Sequence, residues 1–227
     1  MPQTQSDFER FESLSHITGC RHAFIRRIPG IDVAQDKIQS LQRLDKVHRE
    51  IRAEIGVGRW PMLSAQQIHG DKIAVVDVPT TVDREFAGVD GLITNQCDVT
   101  LGIYVADCCA IYILDPRTPA IGLIHSGKRG TERSILSKAV EQMRDRFGSA
   151  PSNLIVQLSP CIRPPHYEID FAAKIIEQCR SSGVQQIHDC GICTACDLDR
   201  YYSYRAEKGK TGRMLALFGL ENDRIAA

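Results

Sequence analysis

Formal net charge is missing from this 227-residue chain: 28 lysines and arginines balance 28 aspartates and glutamates. That balance leaves no electrostatic footprint for a nucleic acid or an anionic membrane. Nowhere does the sequence approach the roughly 20 continuous apolar residues of a membrane helix. Residues 1–10 are polar and mixed in charge, unlike a secretory signal, so a cytoplasmic location is expected. Internal repeats and low-complexity linkers are also absent, which predicts a single domain over 1–227 with loose ends at 1–10 and 221–227. The G-x-G-x-x-G, G-x-x-x-x-G-K-[ST] and G-x-S-x-G signatures are lacking. Their absence argues against dinucleotide binding, a P-loop ATPase and an elbow-type serine hydrolase. The H-x-E and P-C-x-x-C arrangement of base deaminases is also lacking, so any deamination would use a different framework. Seven histidines, at 16, 22, 48, 69, 125, 166 and 188, are a poor supply for several copper centres.

Cysteine is abundant by contrast, at nine residues, an odd number. Without a visible export signal, reduced thiols are expected rather than a disulfide framework. Cys190, Cys193 and Cys196 form two overlapping C-x-x-C pairs, a pattern that suits zinc, an iron–sulfur cluster or redox exchange. No fourth ligand at a characteristic spacing accompanies them, which favours structural thiols.

The 43% hydrophobic and 25% charged fractions are those of a globular protein with one substantial core. Residues 32–55 carry Ile38, Leu41, Leu44, Val47, Ile51 and Ile55 at helical spacing, with Asp32 as the expected cap and Gly56 as the stop. Ile73–Val76 reads as a strand. The apolar run 101–114 reads as two strands bent around Asp107-Cys108, and 120–124 as a strand ending at His125. A helix is predicted over 131–147, capped by Thr131 and stopped by Gly148, with Ile135, Ala139, Val140, Met143 and Phe147 inward. A strand at 154–158 follows. Another helix is marked by Ile169, Ala172, Ala173, Ile176 and Cys179, and a last strand covers 214–218. The predicted class is α+β, a compact domain of mixed β-sheets flanked by helices.

Three glycine-marked segments carry the chemistry: Gln67-Ile68-His69-Gly70, Ala106-Asp107-Cys108-Cys109, and His125 to Gly130. Taken singly, each histidine is more simply a hydrogen-bonded, half-buried side chain. His69, Cys108 and His125 are 39 and 17 residues apart, too far for a finger-type clip but within reach of neighbouring strand ends. Converged, they form a His2Cys site with an open position, suited to zinc and also to copper. Asp107 either orients a ligand histidine or moves a proton, or else accepts backbone N–H groups at a tight turn.

Together these segments resemble the YfiH-like family, whose members carry multicopper polyphenol oxidase and laccase labels as well as purine nucleoside phosphorylase and adenosine deaminase ones. Gln67–Gly70 resembles the family's Q-V-H-G, and Asp90-Gly91-Leu92-Ile93-Thr94 its D-x-L-x-T. Ala106-Asp107-Cys108 resembles A-D-C, and His125–Gly130 resembles H-A-G-W-R-G. Further along, Ser159-Pro160-Cys161-Ile162, Tyr167-Glu168, Cys193-Thr194, Tyr202-Ser203-Tyr204-Arg205 and Thr211-Gly212-Arg213 follow the family's order. Lys128 stands where the family has tryptophan, Cys109-Ala110 replaces an aliphatic–proline pair, and Arg163 replaces a glycine.

The resemblance implies that His69, Cys108 and His125 ligate a metal, usually zinc. It also implies phosphorolysis of adenosine, inosine, guanosine or methylthioadenosine, with adenosine deamination. Purine nucleosides and inorganic phosphate are then the expected partners. Within that expectation Arg129 is a catalytic oxyanion or phosphate contact beside Asp107, while Lys128 and Arg205 bind phosphate or substrate. A copper-dependent phenol oxidoreductase and a metal-stabilised, non-enzymatic binding protein are the alternatives. The helix near Asp32 offers a face for either internal packing or a homo-oligomer.

Overall fold

The computed structural model describes residues 6–222. In chain order, β1 (Phe8–Glu9), α1 (Glu12–Ser15), β2 (Cys20–Ile25) and α2 (Lys37–Glu54) lead into seven successive strands. These are β3 (Met62–Ala65), β4 (Ile73–Val76), β5 (Arg84–Phe86), β6 (Gly91–Thr94), β7 (Thr100–Val105), β8 (Cys109–Asp115) and β9 (Ala120–Ser126). Helices α3 (Lys128–Glu132) and α4 (Ile135–Phe147) follow, then β10 (Ile155–Leu158), α5 (Phe171–Ser181), β11 (Gln186–Asp189) and β12 (Met214–Leu220).

The strands form two six-stranded mixed sheets, ordered β1-β2-β12-β7-β3-β5 and β11-β10-β8-β9-β6-β4. Antiparallel pairs build both centres, and parallel pairs β3–β5, β4–β6 and β10–β11 close three of the edges. This is the expected α+β arrangement of mixed sheets flanked by helices.

The near-continuous apolar run around β8 follows from burial on both faces. Ala110, Tyr112 and Leu114 enter the core shared by the two sheets, while Cys109, Ile111 and Ile113 face the helices. The period-two alternation is preserved, with both sets of positions apolar. Tyr112 satisfies its buried hydroxyl by donating to the Ala23 carbonyl at 2.9 Å, tying the second sheet to β2 of the first. Leu136, Ala139, Met143, Ala172 and Ile175 of α4 and α5 cover the outer face of the second sheet. Over the first sheet lies α2, its His48 ring 6.0 Å from that of Tyr104 on β7.

Three helix expectations need correction. Asp36 caps α2, accepting the Gln39 N–H at 2.9 Å, whereas Asp32 caps no helix and pairs with Arg43. The segment predicted as one helix over 131–147 is broken at Ser134, whose φ of +56° is left-handed. Thr131 lies inside α3 and donates its hydroxyl to the Gly127 carbonyl at 2.8 Å, so it caps nothing. Gly148 does end α4, in the left-handed conformation with φ +75°. Helix α5 starts at Phe171 under an Asp170 cap, and Phe171, Ala172, Ile175 and Cys179 are its inward residues, while Ala173 is exposed.

Of the ends expected to be loose, 1–5 and 223–227 lie outside the described residues, and Phe8–Glu9 pair with β2. Cys20, Cys108, Cys109, Cys161, Cys179, Cys190, Cys193 and Cys196 are free thiols. No helix among the described residues is long and apolar enough to cross a membrane.

Burial lowers His22 and His48 from 6.5 to about 4. His22 is held neutral as an acceptor, taking the Phe11 N–H on Nε2 at 2.8 Å. Because the folded-state values are depressed, the stability these groups confer is complete above the unfolded value of 6.5 and is lost as pH falls towards 4. Each contributes up to about 3 kcal/mol across that window. Urea unfolding followed at successive pH values should show a free energy falling below pH ~6.5, and His48→Leu should remove about half of that slope. An unchanged slope in the variant would exclude His48 as a source.

Candidate metal centre

The site begins with Asp90, a fully buried carboxylate immediately before β6. Its Oδ1 accepts the His69 N–H at 2.8 Å and meets His125 Nδ1 at 2.9 Å, while Oδ2 accepts the Gly70 N–H at 2.6 Å. Its backbone N–H donates to the Lys72 carbonyl, and its carbonyl accepts the His125 N–H at 2.7 Å. One residue thereby fixes both histidine-bearing segments. Gln67 and His69 are non-glycine residues in the left-handed region, at φ +64° and +58°, and need such anchoring. Gln67 supplies more of it by clasping Tyr104: its amide donates to the carbonyl at 2.5 Å and accepts the N–H at 3.0 Å.

Cys108 reaches the same point from the bend between β7 and β8, and His125 from the end of β9. Ligating atoms of His69, Cys108 and His125 lie within 4.8 Å of one another, and the two rings stand nearly perpendicular, 5.0 Å apart. Gly127 gives the sulfur its space, since a Cβ there would lie 2.5 Å from Cys108 Sγ. Burial tends to raise the Cys108 thiol, but His125 and then His69 outweigh it and bring the group from 9.0 down to about 6. Burial lowers His125 in turn, yet Cys108 and Asp90 outweigh that and raise it to about 9. For Asp90, burial alone raises the carboxyl, but His125 and the Gly70 and His69 N–H groups hold it below its ordinary value.

Two imidazoles and a thiolate suit zinc. With Nδ1 engaged by Asp90, His125 keeps Nε2 for a metal, the carboxylate–histidine arrangement that orients such ligands. His69 is exposed, so the cluster opens into a cavity of about 500 Å³.

Asp107, Lys128, Arg129 and Arg205 all line this cavity with the three donors. Both carboxylate oxygens of Asp107 are engaged, by the Thr194 hydroxyl at 2.8 Å and the Arg205 N–H at 2.7 Å. At φ +82° it makes the bend that presents Cys108. The carboxylate bonded to a donor histidine is therefore Asp90. Glu168 pairs with Arg205 at 2.9 Å and with Lys128 at 4.0 Å. Arg129 is exposed and forms no ion pair with a described residue.

Sequence reasoning missed Asp90 and Arg213 as site residues, although both fall within resembling segments. Asp90 precedes a wholly buried strand, and a buried carboxylate there demands partners. Arg213 lines the cavity, is shifted below its ordinary value by burial, and donates from Nη1 to the Thr211 and Gly212 carbonyls. Cys190, Cys193 and Cys196 lie outside the cavity lining.

The fold and its donor cluster define a two-sheet α+β protein with a candidate metal centre open to a cationic cavity. Residues 30–174 and 166–221 match the family model described as multi-copper polyphenol oxidoreductase laccase. A purine nucleoside phosphorylase, YlmD, of Geobacillus stearothermophilus is 32% identical over 71% of this chain and 72% of its own length. A Deinococcus radiodurans purine nucleoside phosphorylase is 27% identical over 88% of each chain. The crystal structure of the Geobacillus protein superposes with a TM-score of 0.76 at 23% identity, covering 95% of this chain and 99% of that one. That of the Bacillus licheniformis hypothetical protein YfiH gives 0.78 at 20% identity, over 96% and 100%. The chain belongs to this YfiH-like family.

Removing the Asp90 charge should loosen the site. In Asp90→Asn the metal affinity is expected to drop about 10–100-fold, as for loss of other partners of metal-bound histidines. Competition with a chromogenic chelator measures this directly. Wild-type affinity in a folded Asp90→Asn protein would contradict the role given to Asp90.

Proposed function

We propose that the chain is a zinc-dependent purine nucleoside phosphorylase acting on adenosine, inosine, guanosine or methylthioadenosine. One observation carries this reading: the His69–Cys108–His125 cluster shares its cavity with the cations of Lys128, Arg129, Arg205 and Arg213. The chain's similarity to the purine nucleoside phosphorylases of Geobacillus stearothermophilus and Deinococcus radiodurans supports it. In phosphorolysis a phosphate oxygen bonds to the ribose anomeric carbon, the bond from that carbon to the purine breaks, and the base leaves with the electron pair. The reaction needs cations for phosphate and stabilisation of the departing base.

Arg129 presents a planar fork of donors to phosphate, and Lys128 supplies a point charge where the family carries an indole. Arg205 is held at the rim by its N–H bond to Asp107, and its guanidinium packs 4.8 Å from the centre of the Tyr167 ring. An arriving phosphate competes with Glu168 for Arg205 and Lys128. Tyr104, Tyr167, Phe171 and Tyr204 give the cavity the flat apolar surface a purine requires. Zinc held by His69, Cys108 and His125 would supply Lewis-acid charge at the reacting end of the cavity. Asp107 serves this scheme by positioning Arg205 and the Cys108 bend.

Adenosine deamination is a second activity of the same site, favoured by the exposure of His69 on the cavity side of the cluster. The family description names multicopper chemistry, but the described residues gather one His/Cys/His donor cluster, which suits a single metal.

Zinc-loaded protein is expected to release free purine from inosine and adenosine only when phosphate is present. Arg129→Ala should lower kcat/KM on the order of 100-fold, and joint replacement of His69, Cys108 and His125 should abolish release. Release that continues without phosphate, or survives the triple replacement, would overturn the reading.

A further inference from the structure

The proposed reaction leaves the Cys190-x-x-Cys193-x-x-Cys196 run unused. Within it, the second pair closes a turn: the Cys196 N–H donates to the Cys193 carbonyl at 3.1 Å, at the one-turn helix Thr194–Cys196. Closure of this kind keeps the two Cα atoms within about 7 Å. A disulfide bridges Cα separations of roughly 4.4–6.8 Å. The side chains also meet, for a hydrogen bond to Cys193 is the main influence raising the Cys196 thiol. Both thiols are reduced, with Cys196 exposed and Cys193 half-buried. Cys20, Cys109, Cys161 and Cys179 are buried away from any soluble oxidant.

This turn is wired to the cavity wall. Thr194, between the two cysteines, donates its hydroxyl to Asp107 Oδ1, and Asp107 Oδ2 holds the Arg205 N–H. The Thr194 N–H donates to the Cys161 carbonyl at 3.2 Å, and the neighbouring Ile162 N–H donates to the Asp107 carbonyl at 2.9 Å. Any change in the pitch of the turn therefore reaches Asp107 by two routes.

We propose that Cys193 and Cys196 are a reversible dithiol–disulfide couple, oxidised by low-molecular-weight disulfides, whose state is transmitted through Thr194 to Asp107 and Arg205. The Cys196 thiolate attacks one sulfur of the oxidant, forming a mixed disulfide and releasing one thiol. Cys193, as thiolate, then attacks Cys196 Sγ; the Cys193–Cys196 bond forms and the second thiol departs. The pair loses two protons and two electrons, and the oxidant is reduced to two thiols. The couple stands whether or not the site performs phosphorolysis.

Full-length, zinc-loaded protein treated with oxidised glutathione and digested without reduction tests this by mass spectrometry. The expected product is a Cys193–Cys196 loop that has lost two hydrogens and regains them with dithiothreitol. In Cys196→Ser the loop is absent. Accumulation of a glutathione adduct without ring closure, or closure between Cys190 and Cys193, would overturn the assignment. Hydrogen exchange reads the transmission: the Arg205 amide is expected to exchange about tenfold faster in the oxidised protein, through weakening of its bond to Asp107. Equal exchange in the two forms would refute the link to the cavity.

Discussion

The buried carboxylate of Asp90 is the constraint on which the candidate site depends. An ionised carboxylate removed from water is tolerated only when charge and hydrogen bonds replace its hydration. Asp90 obtains them from His125, His69 and Gly70, which come from two different segments of chain. The same bonds hold His69 in a left-handed conformation and leave His125 Nε2 free of Asp90. Loss of this carboxylate would therefore disturb two members of the candidate donor cluster at once.

The location of the centre follows from how the sheets meet. Gln67 clasps the backbone of Tyr104 in the first sheet, and the next residues bind Asp90 at the edge of β6 in the second. The donor loop thus spans the seam between the sheets. Cys108 and His125 lie at adjoining ends of the paired strands β8 and β9, so sheet register brings them together across 17 residues of sequence. The doubly buried strands give the donors a rigid base, whereas Lys128, Arg129 and Arg205 stand on short helical and loop segments around the mouth. A rigid donor cluster with exposed cations suits a reaction in which an anionic partner enters from solvent. The ion pairs of Glu168 are partly exposed and hold their partners weakly, so they present a small barrier to that exchange.

The sequence was most legible where burial and pattern agreed. β8, β9 and β12 could be read because their apolar runs are too short for a buried helix, with isoleucines adding β-branched character in β8 and β9, and Gly148 marks its helix end through a left-handed φ. The three residues of the candidate donor cluster were reachable from residue chemistry and from the ordered series of resembling segments. Asp90 was not singled out, because nothing local separates a carboxylate with three partners from the 27 other acidic residues. Ser134 concealed the break between α3 and α4, since serine carries no sign of a left-handed backbone. Asp32 was read as the cap of α2, but its carboxylate pairs with Arg43, and Asp36, directly before the first helical residue, makes the cap instead. Short edge strands such as β1, β5 and β11 gain their identity from pairing, which no single segment displays.

The central claim is that Asp90 organises His69, Cys108 and His125 into an open, single-metal centre. X-ray absorption at the zinc edge, on protein loaded with one equivalent of zinc, tests it most directly. The account predicts one sulfur and two imidazole nitrogens, with a remaining light-atom position that changes when phosphate is added. Two or more sulfurs in the coordination sphere, or four protein ligands indifferent to phosphate, would contradict it.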